Sequence, residues 1–190
     1  MLSNALTDPP LPELPPAAAE LLLADNAPPR LAAHLRLVHD VAIQLSDWLA
    51  TAYPGLYFDR EAVLFGAATH DIGKIVHPEE LSGPGKLHEP AGEQLLLRSG
   101  VEPRLARFAA THGSWTAAGV VLEDLLVSLA DKVWKAKRVV DLEQLLVERL
   151  VAVTCGESWQ AFLALDDFLT RIADGADDRL AFQNGYPIRS

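Results

Sequence analysis

The chain has 190 residues, of which 49% are apolar, and it carries a formal net charge of −10. This length favours a single domain, and the apolar fraction is high enough for a hydrophobic core, which excludes a disordered chain. The acidic balance argues against nucleic acid as a partner, because phosphate backbones are bound by basic surfaces.

Cys155 is the only cysteine, which excludes an intrachain disulfide framework and a structural zinc site built on several thiolates. The N-terminal residues contain neither a basic segment nor an apolar one, so we expect no secretory signal. No apolar run approaches the roughly 18–20 residues that a membrane span needs. We therefore expect a cytoplasmic protein with no membrane partner.

Leucine and alanine dominate the composition, and clusters of β-branched and aromatic residues are few, which favours an all-α fold. Five prolines within residues 1–16 argue against a helix there and predict an extended arm or a disordered lead-in. A short helix is expected at residues 17–25. We assign residues 1–29 to a proline-rich N-terminal extension, residues 30–175 to a helical domain, and residues 176–190 to a C-terminal tail with no strong pattern.

A long amphipathic helix is predicted from Arg30 to about Thr51, because apolar residues recur at helical spacing along one stripe. Two histidines belong to this helix. His34 lies inside the apolar stripe, and His39 lies on its flank. The helical wheel alone does not choose between them as functional residues, and we interpret His34 as a core histidine with a hydrogen-bond partner.

The next helix is predicted to begin after an N-cap at Asp59 and to contain the apolar run 62–69. It ends in the string HDIGK at residues 70–74. An imidazole nitrogen beside a carboxylate oxygen suits a borderline divalent metal such as Zn, Mn or Fe. Two neighbouring side chains converge on one ion more easily at a helix end, and Gly73 favours such an end.

The segment at residues 72–89 is a long loop, which we interpret as the rim of an active site because it connects two candidate ligands. Five helices are predicted after it, at about residues 89–98, 104–111, 120–139, 141–154 and 157–173. The helix at 120–139 is apolar over most of its surface and is expected at the centre of a bundle. It carries Asp131 on its more polar side. The prediction is therefore a bundle of about six to eight helices.

Six side chains form an ordered set of candidate metal ligands. Each lies at or near a helix end or on a long helix, and such positions converge on one cleft in carboxylate-histidine metal bundles. Any one of them alone has a structural explanation, but their joint spacing favours a metal site. The set is His39, His70, Asp71, His88, His112 and Asp131.

Three segments carry a resemblance to a known family: RLVHDVA at residues 36–42, THDIGK at 69–74 and LADKV at 129–133. In this order they resemble the HD-domain metal-dependent phosphohydrolases, which have a helical fold. The resemblance implies that four groups coordinate one ion: His39, His70, Asp71 and Asp131.

His88 and His112 match two further histidines of the members that bind two ions, in which the aspartate of the HD pair, here Asp71, bridges. Those members include bacterial symmetrical dinucleoside tetraphosphatases and cyclic-dinucleotide phosphodiesterases of the HD-GYP kind. The Gly-Tyr-Pro motif of the phosphodiesterases is absent after His112, where the chain has GSWT at residues 113–116.

The resemblance implies a phosphohydrolase that cleaves a phosphoester or phosphoanhydride bond of a nucleotide or other small phosphorylated substrate through metal-bound hydroxide. The cofactor is a divalent metal, expected as two ions, with Fe, Mn, Zn and Mg not distinguished. Asp71 and Lys74 are the expected catalytic residues. Lys74, Lys135 and Arg138 are the expected substrate contacts, because their cations can neutralise phosphoryl oxygens.

Two other hypotheses remain open at this point. The chain could be a non-catalytic HD-fold module that binds a nucleotide or regulates a partner. It could also be a plain helical domain whose histidines are structural, which predicts no metal. The complete ligand set together with Lys74 favours the enzyme.

Overall fold

In a computed structural model, residues 1–154 and 156–188 are described, and Cys155 lies outside them. Within these residues the chain forms eleven α-helices, two short 3-10 helices and no strand. None of these helices has the length and apolar character needed to cross a membrane. The all-α prediction is confirmed, but the predicted number of six to eight helices was too low.

The helices are α1 (Leu2–Thr7), α2 (Pro16–Ala24), α3 (Pro29–Ala52), α4 (Arg60–Thr69), α5 (His88–Arg98), α6 (Pro103–Ala106), α7 (Phe108–Thr111), α8 (Leu122–Val133), α9 (Val140–Thr154), α10 (Ser158–Asp174) and α11 (Ala176–Asn184). The 3-10 helices span Ile72–Ile75 and Pro78–Leu81. They divide the segment 72–89 that the sequence predicted as a loop.

The centre of the bundle is formed by α3, α4 and α8, which pack against one another. Their apolar faces join those of α9 and α10 in one buried cluster that includes Leu45, Val63 and Leu126. The predicted N-cap is confirmed, because the Asp59 carboxylate accepts a hydrogen bond of 3.0 Å from the backbone N–H of Ala62. This cap fixes where α4 begins.

The N-terminal segment is not an extended arm, which corrects the prediction for residues 1–16. The first helix, α1, ends before the prolines begin, and its Ala5 and Leu6 are buried. Arg36 on α3 is completely buried and donates hydrogen bonds to the carbonyl oxygens of residues 5, 8, 11 and 12. One internal cation therefore holds the whole proline-rich turn against the bundle.

The C-terminal tail also has regular structure, because α11 packs against α3. The Arg30 Nε–H donates a hydrogen bond of 2.9 Å to the carbonyl oxygen of Tyr186. Acidic side chains at Asp177 and Asp178 lie in the first turn of α11, where the helix dipole favours them. The division into an extension, a domain and a tail stays a prediction.

A close backbone approach brings the 3-10 helix Ile72–Ile75 against α5. A Cβ atom on Gly73 would lie 2.0 Å from the carbonyl oxygen of His88 and 2.5 Å from the backbone nitrogen of Gly92. Only a residue without a side chain allows this contact. The approach places the first residue of α5 beside the segment that follows α4.

We predict that Gly73→Ala lowers the free energy of unfolding by about 3 kcal/mol, because the added methyl group forces the two backbone segments apart. Gly55→Ala is the matched control, since a Cβ atom on Gly55 meets nothing within 4 Å. Urea unfolding of both variants measures the difference. Equal stability of the two variants would show that the contact at Gly73 relaxes without cost.

Candidate metal centre

Six buried side chains from five segments converge on one point between the helices. They come from the first half of α3, the two residues after α4, the first residue of α5, the residue after α7, and the last turn of α8. They are His34, His70, Asp71, His88, His112 and Asp131.

Asp71 lies at the centre of this group and presents its two carboxylate oxygens to two different sets of imidazoles. Its Oδ2 lies 3.1 Å from His34 Nε2 and 3.6 Å from His70 Nε2. Its Oδ1 lies 3.0 Å from His88 Nε2 and 3.5 Å from His112 Nε2. A carboxylate in this position is able to bridge two ions.

Asp131 completes the first of the two sets. Its Oδ1 lies 3.4 Å from His70 Nε2 and 3.9 Å from His34 Nε2. Two groups therefore share Asp71, and within each group the potential ligand atoms lie within 4.8 Å of one another. Ligand atoms bound at about 2.1 Å from one ion are separated by about 3–4 Å, so a modest contraction suffices for coordination.

Hydrogen bonds on the outer side of the histidines fix which nitrogen faces the centre. His70 Nδ1 lies 3.0 Å from the carbonyl oxygen of Ala67, and His112 Nδ1 lies 3.0 Å from that of Ala109. A carbonyl oxygen only accepts, so Nδ1 carries the proton and Nε2 turns a lone pair to the centre. This arrangement orients metal-binding histidines in proteins.

The protonation states also suit metal binding. Burial alone would raise the pKa of Asp71, but the imidazoles of His70, His34 and His88 and the Lys74 ammonium hold it well below its usual range. Burial likewise opposes ionisation of Asp131, but mainly His70 and Lys132 hold its pKa well below its usual range. Both carboxylates are therefore ionised at neutral pH.

The histidines differ from one another in pKa. Burial, reinforced by the neighbouring His70 imidazole, lowers the pKa of His112 to about 4. Burial also lowers the pKa of His34. Burial opposes protonation of His88 as well, but the carboxylates of Asp71 and Glu80 raise its pKa on balance. His34 and His112 are thus neutral at pH 7, and acid would compete with a metal most strongly at His88, because binding requires the neutral imidazole.

The donor set fits a metal ion. His34 Nε2, His70 Nε2 and Asp71 Oδ1 are buried and have no hydrogen-bond partner among the described residues. Buried polar atoms without partners are costly, so a group of them facing one point indicates a ligand that satisfies them. Nitrogen and carboxylate oxygen donors together suit Mn, Fe or Zn.

The structure corrects the predicted first ligand. His34 belongs to the cluster and His39 does not. Five residues along an α-helix correspond to a rotation of about 140°, so the two histidines cannot face the same point. His39 is buried elsewhere, and burial, together with the positive charges of Arg60 and Arg36, lowers its pKa to about 4. The position of His34 within the apolar stripe of α3 could have identified it as a candidate ligand, because the cluster lies at the bundle centre.

The predicted lysines and arginine have different outcomes. Lys74 Nζ lies 2.5 Å from Asp71 Oδ2, and both Lys74 and Lys135 line the cleft in front of the cluster. Arg138 does not reach the cleft. Its guanidinium forms ion pairs of 2.7 Å with Glu143 and with Asp166, so its charge is already neutralised. Arg138 as a substrate contact therefore stays a prediction that the geometry of the cleft does not support.

The cleft has a volume of about 360 Å³ and opens onto the ligands. Residues that the sequence analysis did not single out also line it, namely Lys86, Glu89, Trp115, Lys132 and Lys137. A larger cavity of about 590 Å³ lies between α2, α4 and the loop after α5, and it contains none of the ligands. We place the functional site by its donor chemistry rather than by cavity size.

Glu80 is a buried residue that the sequence analysis also missed. Its Oε2 lies 2.5 Å from His88 Nδ1, and its two oxygens accept hydrogen bonds from the backbone N–H groups of Leu87 and His88. It therefore fixes the His88 ring and the start of α5 together. The sequence offered one indication of this role, because Glu80 lies in the loop between two candidate ligands.

We predict that His34→Gln removes metal from the protein and that His39→Gln does not, because only His34 faces the shared carboxylate. Elemental analysis of each variant, purified without chelator, measures the metal bound per chain. Metal loss in the His39 variant alone would restore His39 as the first metal ligand.

We also predict that Glu80→Gln lowers metal affinity at the set formed by Asp71, His88 and His112 by about 10- to 100-fold, because the His88 ring loses its carboxylate partner. Glu79→Gln is the matched control, since the Glu79 side chain is 64% exposed and contacts only His77. Titration of metal-depleted protein with Mn measures both affinities. A Glu80 variant that binds metal like the control would limit Glu80 to a role in folding.

Comparison with known proteins gives one match. The family model described as HD domain matches residues 31–134, just over half of the chain and a range that contains all six clustered ligands. No curated protein and no solved structure matches the chain significantly. The matched range together with the buried histidine and aspartate cluster shows that the chain belongs to the HD-domain family.

Proposed function

We propose that the protein is a metal-dependent phosphohydrolase that cleaves a phosphoester or phosphoanhydride bond of a small phosphorylated molecule. A nucleotide is the first candidate substrate. One observation carries the proposal: a buried carboxylate, Asp71, is shared by two sets of imidazoles at the floor of a cleft lined by lysines. Members of the HD-domain family are generally metal-dependent phosphohydrolases, which supports it.

The residues that would hold a first ion are His34, His70, Asp71 and Asp131, and those for a second are Asp71, His88 and His112. Bound divalent ions supply a water with a pKa near neutrality and polarise the phosphoryl oxygens. The second set has only three protein donors, which leaves room for water or substrate.

The lysines next to the carboxylates supply the remaining charge. Lys74 contacts Asp71, and Lys132 contacts Asp131, so both ammonium groups are held at the cleft floor. A cation in this position neutralises charge that builds on the phosphoryl oxygens in the transition state. Lys135 lies two residues beyond the end of α8 and lines the same cleft.

The alternative, a non-catalytic module with the same fold, is not favoured. A module that only binds would require neither two donor sets around one carboxylate nor a lysine on that carboxylate. Metal binding without any turnover would be its signature in the experiment below.

We predict that the protein releases phosphate from members of a nucleotide panel in the presence of Mn, Fe, Zn or Mg. Asp71→Asn should reduce this rate by about 1,000-fold and reduce metal content, because the several kcal/mol that bound ions contribute to the transition state are lost. Asp177→Asn is the matched control, since Asp177 is exposed on α11. Turnover that survives in the Asp71 variant would remove this carboxylate from the mechanism.

A further inference from the structure

All lysines of the chain line one cleft. The sequence contains five, and each of them lines the cleft in front of the ligand cluster: Lys74, Lys86, Lys132, Lys135 and Lys137. None of the arginines among the described residues lines it. In a chain with a net charge of −10, this concentration of positive charge at one place requires an explanation.

Only two of the five lysines have partners in the cluster. Lys74 contacts Asp71 and Lys132 contacts Asp131. The other three, Lys86, Lys135 and Lys137, are exposed, and none of them forms an ion pair with a carboxylate of the described residues. Glu89 also lines the cleft, but it pairs with none of the three, so an anion that binds among them relieves the repulsion between their charges.

The backbone at the end of α8 takes a strained conformation that presents two of these lysines. Ala136 has a φ of +59°, a left-handed conformation that favours glycine. The N–H of Lys137 donates a hydrogen bond of 3.1 Å to the carbonyl oxygen of Lys132, and this bond closes the turn. This turn ends the helix and contains Lys135 and Lys137, and both lysines line the cleft. Strain of this kind is concentrated at functional sites.

The Lys135 side chain is also connected to the metal ligands. Its Nζ lies 5.5 Å from the centre of the Trp134 ring, which attracts the cation. The same ring lies edge-on to the His34 imidazole, with 5.0 Å between ring centres. Lys86 reaches the cleft from a different segment, the loop before α5. The unpaired charge is thus assembled from two segments beside the ligand cluster.

We infer that Lys86, Lys135 and Lys137 form an anion subsite for a second phosphate of the substrate, separate from the phosphate attacked at the ligand cluster. The substrate class is then a small molecule with two or more linked phosphates, such as a nucleoside triphosphate or a longer phosphate chain. This inference rests on the proposed phosphohydrolase function. The cleft volume of about 360 Å³ suits one small molecule rather than a polymer.

The kinetic test compares a monophosphate with a triphosphate. In Lys135→Gln, Lys137→Gln and the double variant, the KM for a nucleoside triphosphate should rise about 5- to 10-fold per lysine removed, with kcat nearly unchanged. The KM for the corresponding nucleoside monophosphate and the metal content should stay unchanged. Arg98→Gln is the matched control, because Arg98 is an exposed cation at the far end of α5. Equal effects on both substrates would overturn the subsite.

A binding test separates this inference from the proposed function. Calorimetry with inorganic tripolyphosphate and with inorganic phosphate measures the subsite without turnover. Tripolyphosphate binding that weakens about tenfold in the lysine variants but not in Arg98→Gln supports the subsite, even if no substrate is hydrolysed. Phosphate release from nucleotides with tripolyphosphate binding unaffected by the lysine substitutions overturns the subsite and leaves the phosphohydrolase intact. Tighter binding to RNA or to acidic vesicles than to tripolyphosphate also overturns it.

Discussion

The structure depends on the burial of one ionised carboxylate. Asp71 is 3% exposed, and removing a charge from water is unfavourable unless opposite charges and hydrogen bonds replace the solvent. Its neighbours come from four helices and one 3-10 helix, and His34, His88 and Lys74 contact it from three of them. Because His34 and His88 are distant from Asp71 in sequence, the carboxylate has all its partners only when the bundle is fully assembled.

Helix ends are a second constraint, and the same histidines satisfy it. The last carbonyl groups of a helix have no partner within the helix, so they must be satisfied when the end is buried. His70 and His112 follow α4 and α7, and each Nδ1–H donates to a carbonyl oxygen of the preceding turn. One interaction therefore caps the helix, selects the tautomer and points Nε2 at the centre. The absence of a side chain at Gly73 then lets α5 bring His88 to the same place.

Much of this could be predicted from the sequence. The long helices, the Asp59 cap and the candidate ligands of the string HDIGK follow from local patterns, because periodicity and capping act over a few residues. The choice between His34 and His39 could not be made locally, since it depends on which face of α3 meets α4 and α8. The pairing of Arg138 with Glu143 and Asp166 depends on tertiary packing in the same way.

The N-terminal segment also shows that local sequence patterns do not reveal tertiary contacts. The prolines correctly exclude a helix at residues 9–15, but they say nothing about the six residues of α1 before them. What orders that segment is Arg36, a residue on α3 that looks like an ordinary exposed position on a helical wheel. Its guanidinium binds carbonyl oxygens of residues 5–12, and such a contact has no signature in the sequence of either partner.

The net charge of the chain argues against a polymeric nucleic acid at one length scale and gives no information at another. Charges separated by more than about 10 Å are largely screened at physiological salt, so a ligand responds mainly to the groups near it. A nucleic acid would contact the acidic surface over a long distance and be repelled. A small polyanion inside the cleft would meet the local lysines instead. Under the proposed function, the acidic exterior and the lysine-lined cleft would together favour small phosphorylated molecules over polymers.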